Sequence, residues 1–279
     1  MNTVFTFPAT LILKILQILA QEGACLHENR KDLHRMKQKC AVITGASRGI
    51  GAAAAERFAA GGWNLALSCV RSSDRLEELA GRFHADWGVT CLTYTGDMGR
   101  EEPVREFFGR IEETFGGVDV LVNNAGISRV GLLEEMPLEE WEEVLRTNVT
   151  SAFLCARAAI PFMLRRKSGS IINVSSVWGC VGASCEAAYS ASKGAVNALT
   201  RALAKELAPS GIAVNAVACG AVDTDMNACF SPEERQEIAE EIPAGRFALP
   251  SEAADLIYTL AERPSYLTGQ IIRLDGGWI

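Results

Sequence analysis

Histidine is scarce in this chain: His27, His34 and His84 are the only three in 279 residues, and none stands at metal-ligand spacing from another. A metal-centred chemistry would therefore lack its commonest ligand, and no metal is expected. The nine cysteines are odd in number and scattered, with no C-x-x-C pair. That argues against a zinc site or a disulfide framework and fits reduced thiols in a cytoplasmic protein. Positive charge is not in excess either, since 27 Lys and Arg against 34 Asp and Glu leave a net −7. Nucleic acid is thus an improbable partner. Finally, the apolar stretch at residues 4–20 is interrupted by Lys14. It falls short of the roughly 20 apolar residues a membrane span needs. It also has no basic side chain ahead of it, as a signal peptide would.

What is present suits a compact, folded protein. The chain is 48% hydrophobic and 22% charged, with 25 glycines, enough to bury a full core without covalent staples. Residues 1–38 read as an appended extension, because Met36-Lys37-Gln38-Lys39 leads directly into a buried strand and the upstream stretch fits no later pattern. An interfacial helix through Leu11, Ile12, Ile15, Leu16 and Leu19 is the alternative for that stretch. From residue 39 onward, short apolar runs alternate with amphipathic helical patterns, the signature of βαβ units. Strands are predicted at 40–44, 65–69, 90–94, 118–122, 170–174, 213–218 and 270–274. Helices are predicted at 50–60, 74–87, 101–115, 138–166, 187–208 and 250–262. The expectation is an α/β fold: a doubly wound, Rossmann-like parallel seven-stranded sheet in a single domain, residues 39–279. A mobile insert with helix formers but weak caps is expected near residues 223–249.

The first strand runs into Thr44-Gly45-Ala46-Ser47-Arg48-Gly49-Ile50-Gly51 and then a helix. Glycines at 45, 49 and 51 permit a tight turn and close backbone approach, while the free N–H groups and dipole of the following helix attract a pyrophosphate. The spacing is G-x-x-x-G-x-G, and its position after the first strand gives it weight. An acid ending the second strand would accept the ribose hydroxyl of NAD and repel a 2′-phosphate. No acid stands there before Asp74; Arg48 and Arg71 offer positive charge, and Ser68 and Ser72 offer hydroxyls. NADP(H) is therefore the expected cofactor, against the plain alternative that Arg71 is a solvated surface charge.

Tyr189 and Lys193 stand four apart at the start of a helix, so both project from one face. A phenol is a poor base at neutral pH, but an adjacent ammonium and a cationic nicotinamide favour the phenolate. Ser176 ends a strand 13 residues before Tyr189.

With these motifs in place, the chain resembles the short-chain dehydrogenase/reductase family over about residues 39–279. Thr44–Gly51 resembles its cofactor loop, including Gly45, Ser47, Arg48, Gly49, Ile50 and Gly51. Asp97 resembles its adenine-contacting acid. Asn123-Asn124-Ala125-Gly126 resembles its strand-four motif, from which Asn124, Ala125 and Gly126 are expected at the cofactor with Arg71. Asn148, Ser176, Tyr189 and Lys193 resemble its catalytic tetrad. The resemblance implies that Tyr189 passes the substrate proton, Ser176 holds the carbonyl oxygen, Lys193 binds the nicotinamide ribose beside Tyr189, and Asn148 holds a relay water. After the sixth strand the family usually has Pro-Gly; here Cys219 takes the proline position, while Gly220, Val222 and Thr224 remain for the cofactor. Cys219 is either a site of thiol-reagent sensitivity or a small buried apolar residue.

Gly245-Arg246-Phe247, Thr268-Gly269-Gln270 and Asp275-Gly276-Gly277 make the chain most like the 3-oxoacyl-[acyl-carrier-protein] reductase branch. The resemblance implies reduction of a ketone to a secondary alcohol, a 3-oxoacyl thioester on acyl-carrier protein as substrate, and a homotetramer built through the two long helices. Arg165-Arg166-Lys167 is a candidate carrier-docking run, or simply a favourably charged helix C-terminus. Ser210 stands where the branch often has another basic residue. Reduction of another small or protein-linked ketone, and a non-catalytic dinucleotide sensor, remain the alternatives. Removal of residues 1–35 is expected to leave folding and activity intact; an insoluble or inactive truncation would show that the extension is structural.

Overall fold

The computed structural model describes residues 39–279 apart from residues 229 and 263–265; the expected extension, residues 1–38, lies outside the described residues. In chain order the elements are β1 (Cys40–Thr44), α1 (Gly49–Ala60), β2 (Asn64–Cys69), α2 (Ser73–Trp87), β3 (Cys91–Thr95), α3 (Glu101–Phe115), β4 (Val120–Asn123), α4 (Leu138–Leu145), α5 (Ser151–Arg166), β5 (Gly169–Ser176), α6 (Trp178–Val181), α7 (Ala187–Leu207), β6 (Ile212–Cys219), α8 (Pro232–Glu241), α9 (Pro250–Glu262) and β7 (Ile271–Leu274). The seven strands form one parallel sheet in the order β3-β2-β1-β4-β5-β6-β7.

Strand alternation divides the core in two. In β1, Ala41 and Ile43 face one side, against Ala54, Ala55 and Phe58 of α1, Leu76 and Phe83 of α2, and Ala253 and Ile257 of α9. Cys40 and Val42 face the other, against Phe107 and Ile111 of α3, Leu154 and Ala159 of α5, and Ala204 of α7. Both faces of the sheet are covered, which is why its central strands read as continuous apolar runs. Each fully buried Phe, Leu or Ile contributes about 1.5–3 kcal/mol, so the two layers hold the sheet rigid beneath its loops.

The predicted doubly wound sheet is what the chain forms. Two details differ from expectation. The long helix predicted at 138–166 is interrupted at Arg146–Thr150 by a π-helical turn, with Asn148 buried inside it. π-Turns of this kind accommodate an extra residue and re-aim side chains, often at functional sites. The segment expected to be weakly capped carries a full capping box: Ser231 Oγ accepts from Glu234 N, and Glu234 Oε2 accepts from Ser231 N, with Pro232 at the first helical position. The S-P-E-E string is the sequence signal for this cap. The helical stretch Leu138–Arg166 has the length and apolar composition of a membrane span, yet half of its apolar window is buried in the fold, as for a core helix.

Strand order reverses between β1 and β4. In open α/β sheets the crevice beyond the strand C-termini at such a point receives the ligand. Most of the motif residues lie on this edge or on helices that start from it; Arg165–Lys167, Ser210 and Thr268–Gln270 lie at the other end, just before β5, β6 and β7.

Candidate active site

The turn after β1 is shaped by close contacts that leave no room for side chains. Gly45 and Gly49 adopt left-handed backbone angles of +66° and +56°. A Cβ on Gly51 would stand 2.3 Å from the Gly45 carbonyl oxygen and 2.4 Å from Asn124 Nδ2. Asn124 binds the turn directly, its Nδ2 donating to the Thr44 and Gly45 carbonyls at 2.9 and 3.0 Å. Thr44 Oγ1 in turn accepts from the Asn124 and Ala125 backbone N–H groups, each at 3.0 Å. Asn124 therefore shapes the cofactor turn, and its amide donors are committed to protein carbonyls. The first turn of α1 has neither a side-chain cap nor an acidic residue. Its orphan N–H groups and positive dipole suit an anion.

Around this turn lies a cleft lined by Gly45, Ser68, Val70, Asp97, Ala125 and Thr147. Asp97 accepts from the Gly99 N–H at 2.9 Å and lies 3.4 Å from Arg100 Nε and 3.5 Å from Arg146 Nε. Ser68 Oγ is buried at the cleft wall without a protein partner. Such an orphaned hydroxyl, an uncapped helix start and a glycine-only turn all fit a dinucleotide. Arg48 is exposed and ion-paired to Asp225, whereas Arg71 is exposed with no ion pair among the described residues. Ser47 is buried, and Ile50 is half-buried and packs on the α1-side core. On the other side, Thr224 packs over Gly49, Val222 bridges to Ala248, and the Gly220 N–H bonds the Leu274 carbonyl.

The four tetrad residues come together from β5, α7 and the π-turn. Ser176 closes β5 with its hydroxyl accepting from Trp178 N at 3.2 Å and near enough to the Tyr189 phenol to favour its ionised form. Lys193, buried one turn further along α7, donates from Nζ to the Val174 carbonyl at 2.8 Å and sits 5.6 Å from the Tyr189 ring centroid. Asn148 clamps the strand-four loop, accepting from Ile127 N at 2.8 Å and donating to Ile127 O and Ser192 Oγ, each at 2.9 Å. A Cβ on Gly126 would lie 3.4 Å from both Asn148 Oδ1 and Lys193 Nζ, so this glycine keeps open the space between them.

Burial sets the electrostatics. It pushes the Tyr189 phenol well above its usual range; the Ser176 hydroxyl opposes this, and Cys219 and Glu186 add to it. Among the described residues burial outweighs the other influences on Tyr189, and the phenol is favoured over the phenolate. Burial also lowers Lys193 to about 8, with the Cys219 sulfur acting the other way. Cys219 itself is buried beside Ser176 in the β5–β6 ladder, and desolvation pushes its thiol up to about 12. A thiol so protonated is unreactive at neutral pH, so Cys219 is a small buried residue and not the reagent-sensitive site.

Several residues at the site carried no sequence signal. Glu186 accepts from Ser128 Oγ at 2.7 Å, and the Gly131 N–H donates to the Cys185 carbonyl at 2.8 Å, joining the loops after β4 and α6. Trp178 and Trp278 meet edge to face at 5.1 Å across the ends of β5 and β7. Ser192, inside the Tyr-Ser-Ala-Ser-Lys string, bonds both Asn148 and the Tyr189 carbonyl. Arg165-Arg166-Lys167, by contrast, closes α5 just before β5 begins, at the opposite end of the strands from the crevice. Arg165 pairs with Glu112 at 3.3 Å and Arg166 with Asp119. The helix-terminus reading describes it within this chain, and it does not border this chain's own cleft.

A Rossmann-like sheet with this serine, tyrosine and lysine at its crevice defines a nicotinamide-dependent oxidoreductase. The short chain dehydrogenase family matches residues 39–235, and the chain belongs to that family. It is 44% identical over 241 residues to the uncharacterized oxidoreductase YmfI of Bacillus subtilis, covering 86% of this chain and 98% of that protein. It is 38% identical over 244 residues to the 3-oxoacyl-[acyl-carrier-protein] reductase FabG of Aquifex aeolicus, covering 87% and 98%. The reductase of the same name from Staphylococcus aureus is 40% identical over 240 residues, covering 86% and 97%.

Two outcomes follow from these environments. Alkylation with a maleimide at neutral pH, followed by peptide mapping, is expected to label the exposed Cys180 and Cys185 before Cys219; prior labelling of Cys219 would contradict its buried, protonated state. The second concerns pH. The folded value of Lys193, about 8, lies below the unfolded 10.5, so between these values the unfolded chain holds more protons and stability rises with pH. Below about pH 8 both states are protonated and no slope arises. Urea unfolding of the cofactor-free protein should show this rise in wild type relative to Lys193→Met, and parallel curves would refute it.

Proposed function

We propose that this chain is an NADP(H)-dependent reductase converting a ketone to a secondary alcohol, with a 3-oxoacyl thioester on acyl-carrier protein as its substrate. The observation that carries the chemistry is the placement of Ser176 at the end of β5 beside Tyr189 and the buried Lys193 of α7, at the crevice where the strand order reverses. The α1 start, Asp97, Gly220, Val222 and Thr224 would hold the dinucleotide, and Tyr189 and Lys193 its nicotinamide ribose. When bound, the reduced nicotinamide supplies a hydride to the carbonyl carbon. Negative charge then grows on the carbonyl oxygen. Ser176 donates a hydrogen bond to that oxygen and Tyr189 delivers the proton, completing the alcohol. Burial keeps Tyr189 protonated for this task, and the Asn148–Gly126–Lys193 gap suits a water that returns the proton.

NADP(H) over NAD(H) is supported by the cations Arg48 and Arg71 and by the lack of an acid at the end of β2. The carrier-bound substrate is supported by the names of the two reductases above. A homotetramer and a cytoplasmic location belong to the same reading. Exposed Phe153 and Leu164 on α5 suit helix packing between copies.

The test compares NADPH and NADH oxidation with an acetoacetyl thioester, free and loaded on acyl-carrier protein, in wild type and Tyr189→Phe. Turnover is expected with NADPH and the carrier-bound substrate. The variant should lose at least about 10²-fold in rate while binding NADPH as before. Retained turnover would remove the proton-donor role. A preference for the free thioester would point to another small ketone.

A further inference from the structure

Tyr189 and Lys193 are not the last residues on their stripe of α7. One helical turn further on, at the same four-residue spacing, stands Asn197. Its Oδ1 accepts from Ser175 Oγ at 2.6 Å, and its Nδ2 donates to the Gly179 carbonyl at 3.1 Å and meets Cys180 Sγ at 3.6 Å. Both Ser175 and Asn197 are buried. A single amide thus spends its acceptor on the end of β5 and its donors on α6, holding the strand and the turn that follows it to one helix.

Between those two anchors lies Ser176. Within the span they enclose, the Trp178 N–H donates to Ser176 Oγ at 3.2 Å, and Cys180 Sγ reaches the Ser176 carbonyl at 4.0 Å. A hydroxyl that accepts from a backbone N–H keeps its own proton free to donate elsewhere. The same corner presses on Lys193. A Cβ on Gly179 would lie 2.6 Å from the Lys193 carbonyl carbon, and Ser175 Oγ lies 3.4 Å from the Lys193 carbonyl oxygen. The end of β5, α6 and Lys193 are packed together with Asn197 as their polar centre, and buried polar networks of this kind hold one geometry only while every member is paired.

We propose that Asn197 is a positioning residue for the reduction: by tying Ser175 to Gly179 it keeps the Trp178 N–H against Ser176 Oγ, and so aims the Ser176 proton at the substrate oxygen. The proposal rests on the reductase reading above, which gives Ser176 its task, and adds Asn197 and Ser175 to it. Asn197 acts on the reaction through Ser176, so its loss should lower kcat and leave cofactor affinity as it was.

The test compares full-length wild type with Asn197→Leu, Ser175→Ala and Ser176→Ala, and with the first two combined in turn with Ser176→Ala. Reduction of an acetoacetyl thioester by NADPH gives kcat and KM, and hydrogen exchange of the Trp178 amide reads the bond to Ser176 directly. Asn197→Leu is expected to lower kcat about tenfold and Ser175→Ala about threefold, with KM for NADPH within about twofold and faster Trp178 exchange in both. On top of Ser176→Ala, neither substitution should cost more than about twofold in kcat. A purely structural role would instead multiply with the Ser176→Ala loss, and that result, or an unchanged kcat, overturns the proposal. If Asn197→Leu does not fold, Ser175→Ala decides by the same comparison. A wild type that leaves the thioester unreduced counts against the reductase reading; Trp178 exchange then decides whether Asn197 holds the Ser176 hydroxyl, and an unchanged rate in the variants overturns it.

Discussion

The Thr44 hydroxyl sits where β1 and β4 part company, accepting two backbone N–H groups from Asn124 and Ala125. Every other part of the site is placed relative to that junction. With the Asn124 amide returning two bonds to the Thr44 and Gly45 carbonyls, the strand ends are fixed within a hydrogen bond of one another. The turn is then forced so close that Gly51 admits no side chain, and α1 begins at the crevice with its N–H groups free. From the same junction the β4 loop continues to Ile127, which Asn148 clamps, and Asn148 bonds Ser192 one turn from Tyr189. Hydrogen bonds and the short backbone stretch from Ala125 to Ile127 thus join the turn after β1 to the main chain of Tyr189.

Burial does the electrostatic work at the other end of that connection. Taking Lys193 out of water weakens its proton affinity, and taking Tyr189 out of water strengthens the hold of the phenol on its proton. The two shifts move the groups apart from their nearly equal acidities in solution: the phenol keeps its proton, and the ammonium gives one up more readily. A cysteine where the family usually has proline is tolerated here because the thiol is buried and protonated, adding bulk to the β6 end without a competing charge.

The fold was legible because both of its faces are written into alternating strands: the runs 40–44 and 101–115 were bounded as the structure has them, and the order of elements followed from strand–helix alternation. The tetrad was legible because Tyr189 and Lys193 lie within one helical turn and Ser176 closes a strand. What escaped is long-range or a matter of degree. Glu186 meets Ser128 across 58 residues and Trp178 meets Trp278 across the sheet, and no local period announces either. The π-turn at Asn148 leaves the helical pattern nearly unchanged, so periodicity passes over it. The Ser231 cap, in contrast, was present in the sequence as S-P-E-E and was underweighted. Of the two readings of Arg165–Lys167, strand direction favours the charged helix C-terminus, since a helix that precedes a parallel strand ends at the edge away from the crevice.

These observations separate two kinds of selectivity. The side chains of the candidate site are held by buried hydrogen bonds, Lys193 to the Val174 carbonyl, Asn148 to Ile127 and Ser192, and Ser192 to the Tyr189 carbonyl, where leaving one partner unpaired costs about 1–3 kcal/mol. The exposed charges beside the turn are held differently: Arg48 and Arg75, from two separate elements, pair with Asp225 at the surface, where each pair is worth no more than about 1 kcal/mol. A substitution at the second kind of position changes one contact and leaves the sheet and the reaction centre as they were. Cofactor preference in such a scaffold is therefore free to vary on a fixed reaction chemistry, and relatives that share the tetrad need not share the preference.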